Sequence, residues 1–100
     1  MEASLERENR LALDVVQAAL GLISQEIKAI SFNLNPDRIT LYIAVRERSQ
    51  HVDEDVEDLV FELEALQDGP VTIESHIFVG SPGPEWPGNS GRRVYLAKEA

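Results

Sequence analysis

The stretch Asp53-Glu54-Asp55-Val56-Glu57-Asp58-Leu59-Val60-Phe61-Glu62-Leu63-Glu64-Ala65-Leu66-Gln67-Asp68 carries eight carboxylates on a helix-period apolar stripe, and its reading decides the fold class. Val52, Val56, Leu59, Val60, Leu63 and Leu66 recur at i, i+3, i+4 and i+7. At about 100° per residue they fall in one broad sector of a helix. Glu54, Glu57, Asp58, Glu64 and Asp68 then point away from it. A disordered acidic tail lacks such a stripe, so the charge is expected on a rigid surface suited to a basic partner. A solvated surface helix with no partner is the plainer reading of the same residues.

Working outward, the Asp- and Glu-rich first turn complements the positive end of the helix dipole, and Asp68-Gly69-Pro70 stops the helix. Upstream, Leu5 to about Leu20 reads as a first helix, with Leu13, Val16, Leu20 and Ile23 on one face and Arg10, Asp14 and Gln17 outside it. Gly21 fits its C-terminal cap. Ile27 to Leu34 alternates, Ile30, Phe32 and Leu34 facing one way and Ala29, Ser31 and Asn33 the other. Asn35-Pro36-Asp37 is a turn, and Ile39, Leu41, Ile43 and Val45 form the inward face of a returning strand. Downstream, Val71, Ile73, Ile77 and Val79 keep period two, as do Val94 and Leu96. The expected order is α-β-β-α-β-β.

Alternation in every strand implies a sheet with one covered face, and two amphipathic helices suffice to cover it. The expectation is an α+β two-layer sandwich: a four-stranded, mostly antiparallel sheet with both helices on one face, in a single domain over residues 1–100. The segment from Ser81 to Gly91 is longer than the two to five residues usual in a hairpin loop. Strand order stays open, because two hairpins can join through either edge.

A formal charge of −9, from 18 acidic residues against 9 Lys and Arg, argues against direct nucleic-acid binding, which needs clustered cations on phosphates. The same field would speed encounter with a cationic protein. Without cysteine there is neither a disulfide framework nor a thiolate zinc site. The beginning of the chain lacks a basic start followed by an apolar run, and no apolar stretch approaches a membrane span. A cytoplasmic location without membrane contact is the default expectation.

No nucleophile, acid/base and stabilising groups converge on a recognisable motif, so a non-enzyme without cofactor is expected. The glycines at 80, 83, 88 and 91 lack the following helix and lysine of a phosphate loop and read as turn residues. His51, Asp53 and Asp55 suit a helix start better than a metal site. His76 shares strand parity with Thr72, Glu74 and Phe78 on the open face of the sheet, with no third ligand in view. Two aromatics are better candidates. Phe61 falls about 140° from Val56, among Glu57, Asp58, Glu64 and Ala65, as an exposed hot spot would; the alternative is that it tucks under the first helix or beside the sheet edge. Trp86 lies in a proline-stiffened loop that costs little entropy to order on a partner; the alternative is that it folds back as a lid over the open sheet face.

Taken together, Ala18-Ala19-Leu20-Gly21-Leu22-Ile23-Ser24, Ile27-Lys28-Ala29-Ile30-Ser31-Phe32, Ile39-Thr40-Leu41-Tyr42-Ile43, the Glu-rich second helix and Val94-Tyr95-Leu96-Ala97-Lys98-Glu99 resemble small bacterial immunity proteins of contact-dependent and other polymorphic toxin systems. That resemblance implies a non-enzymatic protein that binds a cognate toxin C-terminal domain and blocks its active site or substrate path. Toxins of that class are often basic nucleases, which an acidic inhibitor would attract as a phosphate backbone does. The residues expected to contact the toxin, chosen by exposure and charge, are Asp55, Glu57, Asp58, Phe61, Glu62 and Glu64 on the second helix, with Glu85 and Trp86 in the long loop. The rival expectation is a ligand-sensing or regulatory α+β module, homodimeric through edge strands or the open face, with Thr40, Tyr42, Ala44, His76 and Phe78 lining its working surface.

Overall fold

The computed structural model describes residues 2–22 and 24–97, with side chains from residue 5 onward. Helix α1 runs over Glu2–Ala19, β1 over Ile27–Asn35, β2 over Arg38–Val45, α2 over Gln50–Ala65, β3 over Thr72–Val79 and β4 over Arg92–Leu96, with a 3-10 turn at Pro87–Ser90. Ile23, Lys98 and Glu99, used in the sequence reading, lie outside the described residues.

Helix α2 forms in the carboxylate-rich stretch as expected but ends at Ala65, with Leu66 as its C-cap, so Asp68-Gly69-Pro70 lies beyond the helix end. Its N-cap is Ser49, whose side chain accepts from the Val52 backbone N–H at 3.2 Å, so His51 lies within the first turn. Val52, Val56, Leu59 and Leu63 are buried. Each such side chain contributes roughly 1.5–3 kcal/mol relative to exposure. Helix α1 ends at Gly21, whose φ of +84° is the left-handed cap conformation that disfavours a Cβ.

The phase of α1 corrects the sequence expectation. Leu11, Val15, Ala18 and Ala19 are buried, whereas Leu13, Val16 and Leu20 are exposed. The helix carries two apolar stripes. The buried one ends in two alanines, whose small side chains let the helix lie close on the sheet. Asp14, expected outside, is half-buried and accepts from Gln67 Nε2 at 3.4 Å.

The sheet has the order β3-β2-β1-β4. Strands β1 and β2 form the expected hairpin, with Phe32 opposite Leu41 and Asn35 opposite Arg38. The mostly antiparallel expectation becomes a mixed sheet: β1 pairs antiparallel with β2 and β4, but β3 lies parallel to β2, Ile39 opposite Ile73 and Val45 opposite Val79. A parallel neighbour requires a crossover rather than a tight turn, and α2 supplies it. Strands β3 and β4 therefore occupy opposite edges, and the long 80–91 segment must cross the sheet to join them.

Both helices cover one sheet face, over Ile30, Phe32, Ile39, Leu41, Ile43 and Val45. Strand β4 departs from simple alternation. A register shift sets Tyr95 opposite Ile30 but Arg93 opposite Ser31, so Tyr95 reaches the helix-side core and Leu96, opposite Ala29, turns to the other face.

Candidate functional site

Relative to the middle of the buried α2 stripe, Phe61 sits about 170° around the helix, with Glu54, Asp58 and Ala65 along the same crest. The alternative in which Phe61 tucks inward is not realised: it is 68% exposed. Glu57 and Glu64 flank the crest on one side, and Glu62 and Asp55 on the other. Glu57, Asp58, Glu62 and Glu64 are all exposed. Asp55 is more enclosed, its side chain 14% accessible and 3.8 Å from His51 Nε2.

The first turn of α2 is partly neutralised. Arg48 Nε donates to Asp53 Oδ1 at 2.9 Å, and Gln50 Nε2 to Glu54 Oε1 at 3.1 Å. Beyond it, Glu57, Asp58, Glu62 and Glu64 enter no ion pair with the described residues. An exposed ring is thus surrounded by carboxylates that no cation among the described residues pairs with.

Glu85 and Trp86 do not join this face. Their loop packs on the side of the sheet opposite the helices, so the residues expected to act together are divided between the two layers. Glu85 is exposed there. Trp86, expected as a contact residue, is only 2% exposed and forms a second small core with Ala29 and Ala44, flanked by Tyr42 and Phe78. The lid alternative describes it. Ala29 and Ala44 are register partners, and their short side chains leave a seat for an indole. That pair of small residues on the open face was the sequence signal for it.

The loop is fastened at several points. Ser31 Oγ donates to the Gly88 carbonyl at 2.7 Å in a buried contact, and Arg93 Nη2 donates to Asn89 Oδ1 at 2.6 Å. The Arg93 guanidinium also lies 6.0 Å from the Trp86 ring centre, within cation–π range. Gly88 is required by close approach, since a Cβ there would fall 2.5 Å from Ser31 Oγ and from Tyr42 Cβ. Trp86 Nε1 is buried without a hydrogen-bond partner among the described residues.

Apart from the exposed Leu96, much of the rest of the open face is polar. His76 lies on it as strand parity predicts, stacked on Tyr42 with ring centres 5.6 Å apart, and Asn33 Nδ2 donates to the Tyr42 hydroxyl at 3.3 Å. Arg38 and Glu74 form an ion pair at 3.6 Å. These contacts tie side chains of neighbouring strands to one another, and Thr40 is buried beneath them. A cleft of about 430 Å³ opens between the N-terminal half of α1 and the α2–β3 corner, lined by charges of both signs, Arg7 and Arg10 with Glu6, Asp14 and Asp68. Among the described residues no three His, Asp or Glu are grouped to hold a metal ion, and no helix is long and apolar enough to cross a membrane.

The feature that the sequence reading missed is the outer side of α1. Leu5, Leu13, Val16 and Leu20 are exposed on one flank of that helix. The spacing of Leu13, Val16 and Leu20 predicts one apolar face, which the structure leaves exposed, and Leu5 extends it. No protein-family model matches the chain, and no curated protein matches it either.

Proposed function

We propose that this chain is an immunity-type inhibitor that binds a basic toxin domain, of the nuclease kind, through the outer face of α2. The observation that carries the reading is Phe61, 68% exposed at the centre of a helix face whose Glu57, Asp58, Glu62 and Glu64 have no cationic partner among the described residues. A singly exposed apolar side chain is ordinary on a protein surface, but an aromatic anchor within a polar rim is the usual anatomy of a binding hot spot, and Phe61 within its carboxylates fits that anatomy. The carboxylates would steer a cationic partner toward that anchor, raising the association rate and making it salt-sensitive.

The distribution of charge supports the same reading. Eight carboxylates and no Lys or Arg lie between residues 50 and 68, and the remainder of the chain holds ten carboxylates against nine Lys and Arg. Most of the net charge of −9 is therefore concentrated on α2 and the residues just after it, seven carboxylates on the helix and Asp68 beyond its end. The rival ligand-sensing module loses part of its working surface, because Trp86 and its loop already occupy the open face over Ala29 and Ala44. The inhibitor reading needs no catalytic group and no cofactor.

The test is co-expression with the C-terminal domain encoded immediately upstream of this gene. Rescue of growth from that domain is the expected result. With the purified pair, replacing Glu57, Asp58 and Glu64 together by Lys should slow association by an order of magnitude or more at low salt. Unchanged affinity after that charge reversal would show that α2 is not the contact surface.

A further inference from the structure

Strand β3 is the free edge beside β2, and the direction of its backbone groups follows from two hydrogen bonds. The Thr72 N–H donates to the Asp37 carbonyl at 3.3 Å, and the Gly80 N–H to the Val45 carbonyl at 3.0 Å. The even residues therefore turn their N–H and C=O groups toward β2, and the odd ones turn theirs outward. Ile73, Ser75, Ile77 and Val79 present these groups at the edge, where no other described strand pairs with them.

Natural sheets blunt their edges with Lys, Pro, bulges or short strands. Strand β4 follows that rule, with five residues, a register shift against β1, and Arg92 and Arg93. Strand β3 does not. Over eight residues it has neither Lys nor Pro, and its register with β2 is unbroken. Its Glu74 is paired with Arg38 of β2 and its His76 is stacked on Tyr42 of β2, so both side chains are drawn back from the edge. Val79, at its end, is 53% exposed.

Charge identifies the occupant. Helix α2 packs beside β3 and α1 beside β4. The flank of α2 that holds Asp55, only 14% accessible, is the one α1 encloses. The opposite flank, with the exposed Glu57 and Glu64, therefore overhangs the β3 edge, as the usual right-handed β-α-β crossover also requires. No cation among the described residues pairs with either carboxylate.

We propose that the β3 edge is a docking site for an extended cationic segment of a partner protein, which adds as a fifth strand and sets its basic side chains beside Glu57 and Glu64. The two carboxylates are about 10.5 Å apart along the helix, at 1.5 Å per residue. Alternate side chains of a strand are about 6.6 Å apart, so two Lys or Arg at i and i+2 on the helix side of the added strand reach both. A second copy of this chain fits poorly. Two β3 strands joined about 4.8 Å apart would bring the α2 helices within roughly 10–15 Å, little beyond the Debye length of about 8 Å, with their Glu57 and Glu64 flanks facing each other. The proposal does not rest on the toxin reading, because it is set by the backbone of β3 and one flank of α2 and not by Phe61.

The probe is a capped peptide of four Lys-Val repeats, titrated into the full chain at low salt and followed by amide NMR. The expected result is saturable binding with slowed hydrogen exchange at the Ile73, Ser75, Ile77 and Val79 amides. Ser75→Pro removes one outward donor and leaves the ladder to β2 intact, since Pro is tolerated where an edge N–H faces solvent; it should weaken binding by about tenfold. Glu57→Gln combined with Glu64→Gln should weaken it by about an order of magnitude, and Glu62→Gln on the α1 side should not. If Ser75→Pro disturbs the strand, the peptide N-methylated at every residue keeps the charge but cannot donate, and it should not bind the parent chain. Undiminished binding of that peptide would mean that the acidic helix alone holds the cations, and the proposal would fall. It would fall equally if the β3 amides stayed unprotected up to about 1 mM peptide, or if four Glu-Val repeats bound as well. Sedimentation at twice 11.1 kDa, returned to monomer by Ser75→Pro, would assign the edge to a second copy instead.

Discussion

Gly88→Ala is the sharpest test of how the long loop is held. An added Cβ would lie 2.5 Å from Ser31 Oγ, 2.5 Å from Tyr42 Cβ and 2.6 Å from Trp86 Cζ2. All three contacts are shorter than real Cβ contacts, and two involve side chains fixed close to the strand backbone. Overpacking of this kind costs about 1–3 kcal/mol. Movement of the loop to relieve it would also break the buried hydrogen bond from Ser31 Oγ to the Gly88 carbonyl, which contributes about 0.5–1.5 kcal/mol. The expected loss is about 2–4 kcal/mol. At about 4–8 °C per kcal/mol for a chain of this size, Tm should fall by about 10–30 °C. Gly83→Ala in the same loop is the control, because nothing lies within 4 Å of its added Cβ and its φ is not positive. It should be neutral, or stabilising by about 0.4–1 kcal/mol through the unfolded chain. Urea unfolding would be followed by far-UV circular dichroism and by fluorescence of Trp86, the only tryptophan. Gly88→Ala should also shift the native Trp86 emission to the red as the indole is lifted from Ala29 and Ala44. If the two alanine variants unfold at the same urea concentration with the same emission, the loop does not pack on the sheet as described.

Two further stability predictions separate scaffold from surface. Ser49→Ala removes the side-chain acceptor for the Val52 N–H and should lower stability by about 0.5–2 kcal/mol, read from the urea midpoint at unchanged m-value. Leu63→Ala should cost about 2–5 kcal/mol, whereas Phe61→Ala, two residues earlier and 68% exposed, should stay within about 0.5 kcal/mol of the parent. Equal losses at Leu63 and Phe61 in thermal or urea unfolding would mean that Phe61 is not the outward residue of α2.

The existence and phase of helix α2 were legible, though not its end at Ala65, because every large apolar side chain in its sequence except Phe61 lies in one sector and the exception is surrounded by carboxylates. The buried stripe follows from that spacing, whereas Phe61 could equally have tucked under α1 or beside the sheet edge, and the structure leaves it exposed. The outward half of the candidate site, from Glu57 to Glu64, follows from that periodicity. The β1–β2 hairpin was legible for a similar reason: Asn35-Pro36-Asp37 specifies a turn, and the flanking strands alternate in register with it. Trp86 was ambiguous in the sequence. A proline-rich loop with one indole fits a displayed anchor and a folded lid equally well, and the choice depends on Ala29 and Ala44, which are far away along the chain.

What the sequence determined by itself is what local rules dictate: the number and order of elements, the cap at Gly21, the outward face of α2 and the concentration of negative charge there. These depend on spacings of three to seven residues, within which backbone geometry fixes the direction of every side chain. What only the tertiary structure decided is how faces meet. Helix α1 offers two apolar stripes, and the one with Ala18 and Ala19 is buried because it fits close to the sheet, leaving Leu13 and Leu20 outside. Strand β3 returns parallel to β2 because α2 spans the sheet between them, and β4 then takes the opposite edge beside β1. Trp86 finds its seat because two alanines become neighbours across a hairpin. Each of these choices is a competition between surfaces of nearly equal hydrophobicity, settled by shape complementarity between residues that no local pattern connects.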